Sequence, residues 1–169
     1  MSVRLGHAAR GFTLIELLIV VAIIGILAAL GAPFLMAAKA SANEASAIGS
    51  LRAINNAEAN YSSTCARGAY SVNIPALVAR DYLSPDMGFN PKSGYNFSLV
   101  GGLGSAAGPN DCTGAATRST YYASGLPLSP GTTGHRAFAT NQGGTIWQDT
   151  SGVLPAEPFA MAGTISPLQ

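Results

Sequence analysis

From Leu17 to Ala38 the chain runs twenty-two residues without a charge, and nearly all of them are apolar. At about 1.5 Å rise per residue they make a helix of about 33 Å, enough to cross a bilayer. Beyond Lys39 the pattern changes. Ile48, Leu51, Ile54 and Tyr61 fall in one arc at helical spacing, with Arg52, Asn56 and Asn60 opposite and Glu58 intruding on the apolar side. Ser62-Ser63-Thr64 and Gly68 end the periodicity. The pattern predicts one long helix over about 12–63, bent at Pro33, whose N–H is missing from the helical ladder. Its first half, 12–38, is the membrane-length run; its second half, 39–64, is amphipathic.

Residues 65–94 read as a connecting loop. Ile74 to Arg80 suggests a short helix opened by Pro75, and Ser84-Pro85-Asp86, Asn90-Pro91 and Ser93-Gly94 are turn chemistry. Strand patterns follow at Tyr95–Val100, Thr120–Ala123, Ala137–Thr140 and Thr145–Gln148, with Asn141-Gln142-Gly143-Gly144 as a hairpin turn. Short turns favour an antiparallel sheet, placed over 95–149, and the long helix is the partner available to cover its apolar face. Residues 150–169, with Pro155, Pro158 and Pro167, read as a C-terminal tail, either docked by Phe159 and Met161 or loose. The fold class is therefore α+β: a long helix packed on an antiparallel sheet of three to four strands.

Composition narrows the function. Only 10% of residues are charged and the formal net charge is +1, unlike a basic nucleic-acid binder. Lys92, Arg118 and Arg136 are scattered among neutral residues and read as a solvated surface rather than a strip for DNA. His7 lies near the N-terminus and His135 stands alone in a Gly/Thr loop. No nucleophile–base set, phosphate loop or metal-ligand spacing is present, so no enzyme, cofactor or metal is expected. Arg4 and Arg10 precede the apolar run, with no acid among the first eleven residues, which keeps that end in the cytoplasm. The rest then lies across the inner membrane. There an oxidising compartment favours pairing Cys65 with Cys112, the alternative being two unpaired small hydrophobes.

Glu16 is the anomaly, a single carboxylate one turn inside the apolar run. A plain anchor has no use for it. A secretory signal cleaved after Ala29-Leu30-Gly31 would have a shorter core. Gly11-Phe12-Thr13-Leu14-Ile15-Glu16-Leu17-Leu18-Ile19-Val20-Val21 resembles the prepilin segment of type IV pilins and type II secretion pseudopilins. The resemblance implies cleavage between Gly11 and Phe12 by a prepilin peptidase, with residues 1–11 as leader, and methylation of the new amine of Phe12. It implies a pilin-like fold, an inner-membrane assembly platform, residence in the bilayer before assembly, and a helical filament of copies of this chain. Phe12 and Glu16 are four apart and share a helix face, so amine and carboxylate neutralise each other within or between subunits. Between subunits, the pair sets the axial step of an open polymer. For Gly25 to Pro33 two readings stand: melting on assembly, as the resemblance implies, or a simple membrane kink. Some secretion pseudopilins carry an acidic calcium loop, for which Asp149 and Glu157 are too sparse. A pilus subunit leads; a secretion pseudopilin and a minor pilin binding DNA or surfaces are the alternatives.

Overall fold

The computed structural model describes residues 11–168, the side chain of Ala32 excepted. Reading along the chain, α1 spans Leu14–Thr64, α2 Ile74–Val78 and a 3₁₀ turn Pro85–Gly88. The strands are β1 (Tyr95–Val100), β2 (Tyr122–Pro127), β3 (Ala137–Asn141), β4 (Trp147–Asp149) and β5 (Ile165–Pro167). The chain divides into two compact units between Met36 and Ala37.

Within the first unit α1 is apolar on every face. Leu14, Leu18, Val21, Ile24, Leu27 and Leu30 are all exposed. An isolated helix without a polar face has no stable home in water; it belongs in lipid or in a larger assembly. This stretch is long and apolar enough to cross a membrane. It is helical through both Gly25 and Pro33.

The second unit has its own core. Ala47, Leu51, Ile54, Ala57 and Tyr61 of α1 are buried at steps of three or four, which makes one stripe along a helix. Against them sit Tyr95, Phe97 and Leu99, every second residue of β1, while Asn96, Ser98 and Val100 point away. The sheet is a five-stranded antiparallel meander in the order β1-β2-β3-β4-β5. Its β1–β2 register, Tyr95 opposite Pro127 through Val100 opposite Tyr122, sets Gly125 across from Phe97. A side chain on Gly125 would press on that ring, at 3.2 Å from the Phe97 Cε1. The turn between β3 and β4 closes with the Gly144 N–H on the Asn141 carbonyl at 2.9 Å and the Gly143 N–H on Asn141 Oδ1 at 2.9 Å.

Two features depart from the sequence reading. The sheet has five strands, not three or four, because residues read as a tail supply β5, which pairs with β4 through Asp149 opposite Ile165. The Leu168 N–H on the Ile146 carbonyl at 2.8 Å and Phe159 stacked on Trp147 at 5.6 Å hold this end down, while Met161 stays exposed. A three-residue strand ending in Pro is an edge strand, which tolerates the missing N–H. Strand β2 also runs on to Pro127 through Ser124-Gly125-Leu126, where small residues hide the strand pattern but make room for Phe97.

Candidate assembly site

Thr13 and Glu16 form a reciprocal cap at the start of α1. Glu16 Oε2 accepts from the Thr13 N–H at 3.0 Å and from Thr13 Oγ1–H at 2.8 Å, and the Glu16 N–H donates to Thr13 Oγ1 at 3.3 Å. This is a capping box, which satisfies helix N–H groups that lack an intrahelical acceptor. The Thr-x-x-Glu spacing was there to be read, but Thr13 is the partner that the sequence reading passed over. In the intact chain Phe12 is bonded to Gly11, so its nitrogen is an amide; Phe12 is 82% exposed and Glu16 is exposed with it. The one carboxylate of the apolar run is thus accessible and held by a hydroxyl and an N–H. No other charge stands nearby on that run.

Residues 6–32 match the family model of the prokaryotic N-terminal methylation motif. The chain is 32% identical over 90 residues to the type II secretion system core protein G of Klebsiella michiganensis, covering 53% of this chain and 63% of that protein. It is also 32% identical over 91 residues to the type II secretion system core protein G of Pectobacterium carotovorum subsp. carotovorum, covering 53% of this chain and 58% of that one. The chain carries the N-terminal methylation motif and, over about half its length, is similar to a type II secretion system core protein G. It spans less than two thirds of the length of either curated relative. No solved structure makes a significant match.

Within the globular unit the chain is tied to α1 or to the residue just past it in three places. Cys65 and Cys112 form a disulfide with Cα atoms 4.9 Å apart, and the Cys112 N–H donates to the Cys65 carbonyl at 2.9 Å. Beside it the buried Asp111 accepts from Tyr61 Oη–H at 2.7 Å, pairs with Arg80 at 3.0 Å, and takes the N–H groups of Thr113 and Ala115, each at 2.8 Å. Burial pushes the Asp111 carboxyl up, but these donors outweigh it and hold it far below the ordinary carboxylate range. Burial, then Asp111 itself, pushes the Tyr61 phenol up to about 12. The third tie is Glu44, which takes the N–H groups of His135 (2.6 Å) and Arg136 (3.1 Å) and pairs with Arg136 Nη2 at 2.7 Å. Here too burial raises the carboxyl, and His135 and Arg136 together bring it net downward.

Glu58, the misfit of the apolar arc, is fully buried. It accepts from the Ser71 N–H at 3.0 Å and from the Ser71 hydroxyl. No cation pairs with it among the described residues, and burial leaves its pKa raised. The surface cations do not gather: Lys92 pairs with Asp86 at 2.6 Å, Arg136 with Glu44, and Arg118 stands exposed. His135 is exposed, and His7 with most of the leader lies outside the described residues. The acidic residues near the C-terminus accept hydrogen bonds from the chain itself. Asp149 Oδ1 is taken by Ser151 N–H (2.8 Å) and Oγ–H (2.7 Å), and Glu157 by Leu103 N–H (2.6 Å) and Asn141 (2.6 Å). No three His, Cys, Asp or Glu side chains come together among the described residues.

Proposed function

We propose that this chain is a structural subunit, not an enzyme, of a type IV pilus-like filament. The observation that carries the reading is Glu16: one carboxylate in a helix apolar all round, inside a segment that matches the methylation motif. A prepilin peptidase cuts between Gly11 and Phe12, and the new Phe12 amine is methylated. Before assembly the chain sits in the inner membrane with the leader cytoplasmic and the globular unit outside. A cationic amine at Phe12 then competes with Thr13 for Glu16. Transferring Glu16 to the amine of a neighbour replaces a cap by an ion pair in a dry, low-dielectric core, where a lone carboxylate is costly. Register follows, because only one axial offset satisfies both charges. The Gly25–Pro33 segment, already short of the Pro33 hydrogen bond, melts as the helices pack. The other reading is a simple kink at Pro33. A filament density map with unbroken helix through 25–33 would remove the melting step.

The test is mass spectrometry of the N-terminus together with filament yield. Mature protein should begin at Phe12 with one added methyl, and Glu16→Ala should be processed normally yet give at most a tenth of the sheared filament. Native protein retaining residues 1–11, or full yield from Glu16→Ala, would overturn the assembly scheme. A second reading, a secretion pseudopilin, is favoured by the name that both relatives carry. Deletion of the gene would then strand exported proteins in the periplasm instead of removing surface filaments.

A further inference from the structure

A groove of about 760 Å³ runs beside α1 in the globular unit, walled by Arg52, Asn56, Ser63, Arg67, Tyr70 and Gln142 among others, with no acid in its lining. The cations Arg80, Lys92 and Arg136 are each paired with a carboxylate of the same chain. Arg52 and Arg67 are exposed, with no carboxylate within 4.0 Å among the described residues.

The acids show the converse. Glu44, Asp86 and Asp111 are ion-paired, Glu58 is held by Ser71, Asp149 by Ser151 and Glu157 by Leu103 and Asn141. Asp81 is exposed, and its carboxylate has no partner among the described residues. It sits just past α2. The segment after it, through Tyr82, Ser84 and Met87, walls a second groove on the neighbouring flank of α1 together with Ala53 and Asn60. Asn56 borders both grooves. Asp81 is not among the residues walling the Arg52/Arg67 groove, so this acid and these two cations occupy different parts of the surface; Lys39 and Arg118 are likewise exposed with no carboxylate within 4.0 Å among the described residues.

Arg67 (φ 55°) and Asp81 (φ 60°) stand in the left-handed region because each closes a helix. After α1 the Gly68 N–H reaches back to the Ser62 carbonyl at 2.9 Å, and after α2 the Tyr82 N–H reaches back to the Leu77 carbonyl at 3.1 Å. The helix ends thereby fix where these two charged residues leave the fold.

We propose that the Arg52/Arg67 groove of one subunit receives Asp81 of a second copy of this chain. The contact rests on the filament reading and extends it from the apolar helices to the globular units. Donor and acceptor are different parts of the surface, so the contact is heterologous and propagates as an open series. At the rim of the unit the pair is solvent-accessible and weakens with salt.

The test is a charge swap in the full chain. Asp81→Arg and Arg67→Asp should each lower sheared filament yield about tenfold. Membrane-fraction subunit levels and the Cys65–Cys112 mobility shift on non-reducing gels should stay unchanged, which excludes misfolding. The double variant should recover to within about twofold of wild type. Full yield from both single variants, or no recovery in the double, overturns the pairing. So does loss with Arg67→Asp alone while Asp81→Arg is silent, the pattern of a groove that takes an outside anion. Wild-type chain that builds no filament would overturn the filament reading and this contact with it. Filaments indifferent to both reversals would overturn the contact alone.

Discussion

Removing the disulfide is the sharpest test of how the globular unit is held. The bridge spans a sequence separation of 47 residues. Constraining a loop of that length in the unfolded chain works out at about 4 kcal/mol from loop-closure entropy. Residual compactness of the denatured state trims this, so a loss of about 2–4 kcal/mol is expected for Cys65→Ala/Cys112→Ala. Alanine suits the site because Cys65 is buried, at 4% exposure. The hydrogen bond between Cys112 and Cys65 and the Asp111 cluster act on the folded state, so they do not substitute for the covalent tie. With a urea slope of roughly 1.5 kcal/mol/M, the midpoint should fall by about 1.3–2.7 M. Trp147, the single tryptophan, is stacked on Phe159 and reports the transition by fluorescence on full-length chain in detergent. Wild type under reductant should match the variant. A shift under about 0.5 M, with thiol titration confirming an intact bridge in wild type, would refute the loop-constraint account.

Glu58→Gln keeps one acceptor oxygen for the Ser71 N–H, offers its amide N–H to the Ser71 hydroxyl oxygen, and removes the buried charge. The Glu58 pKa is raised in the fold, so its contribution is fully present below the unfolded pKa near 4.5 and is lost as pH rises through the folded value. Glu44 and Asp111 are shifted downward and act oppositely, losing their contribution as pH falls, so the difference between variant and wild type isolates Glu58. Glu58→Gln should be the more stable of the two at pH 8, with the gap closing toward pH 4 in urea melts; a pH-independent gap would contradict this. Leu51→Ala empties a fully buried core site and should cost about 2–5 kcal/mol by the same melts. Gly134→Ala would drive a methyl into the Tyr95 hydroxyl, which donates to the Arg136 carbonyl at 2.7 Å, and should destabilise markedly; an unchanged melt would show that Tyr95 moves freely.

The long helix, its apolar first half and the odd carboxylate at Glu16 were legible because they are local: an unbroken run, a spacing of four, and a motif in consecutive residues. The amphipathic stripe of Leu51, Ile54 and Tyr61 was legible for the same reason, since helical period is a property of neighbours in sequence. Glu58 looked like an error in that stripe until Ser71, brought across by the turn after α1, supplied its donors. Asp111 and Arg80 are thirty-one positions apart and meet only because the loops carrying them are drawn to the end of α1 beside the Cys65–Cys112 bridge. β5 is three residues with a proline, too short to show a period, and becomes a strand only through the β4 edge beside it. Which charges remain unpaired, Arg52, Arg67 and Asp81 among them, depends on every pairing made elsewhere. Local periodicity thus marks the helix and the membrane-length run from the chain alone. Partners distant in sequence are chosen by packing, because an ion pair or a strand edge is stabilised only when its other half has been brought within reach.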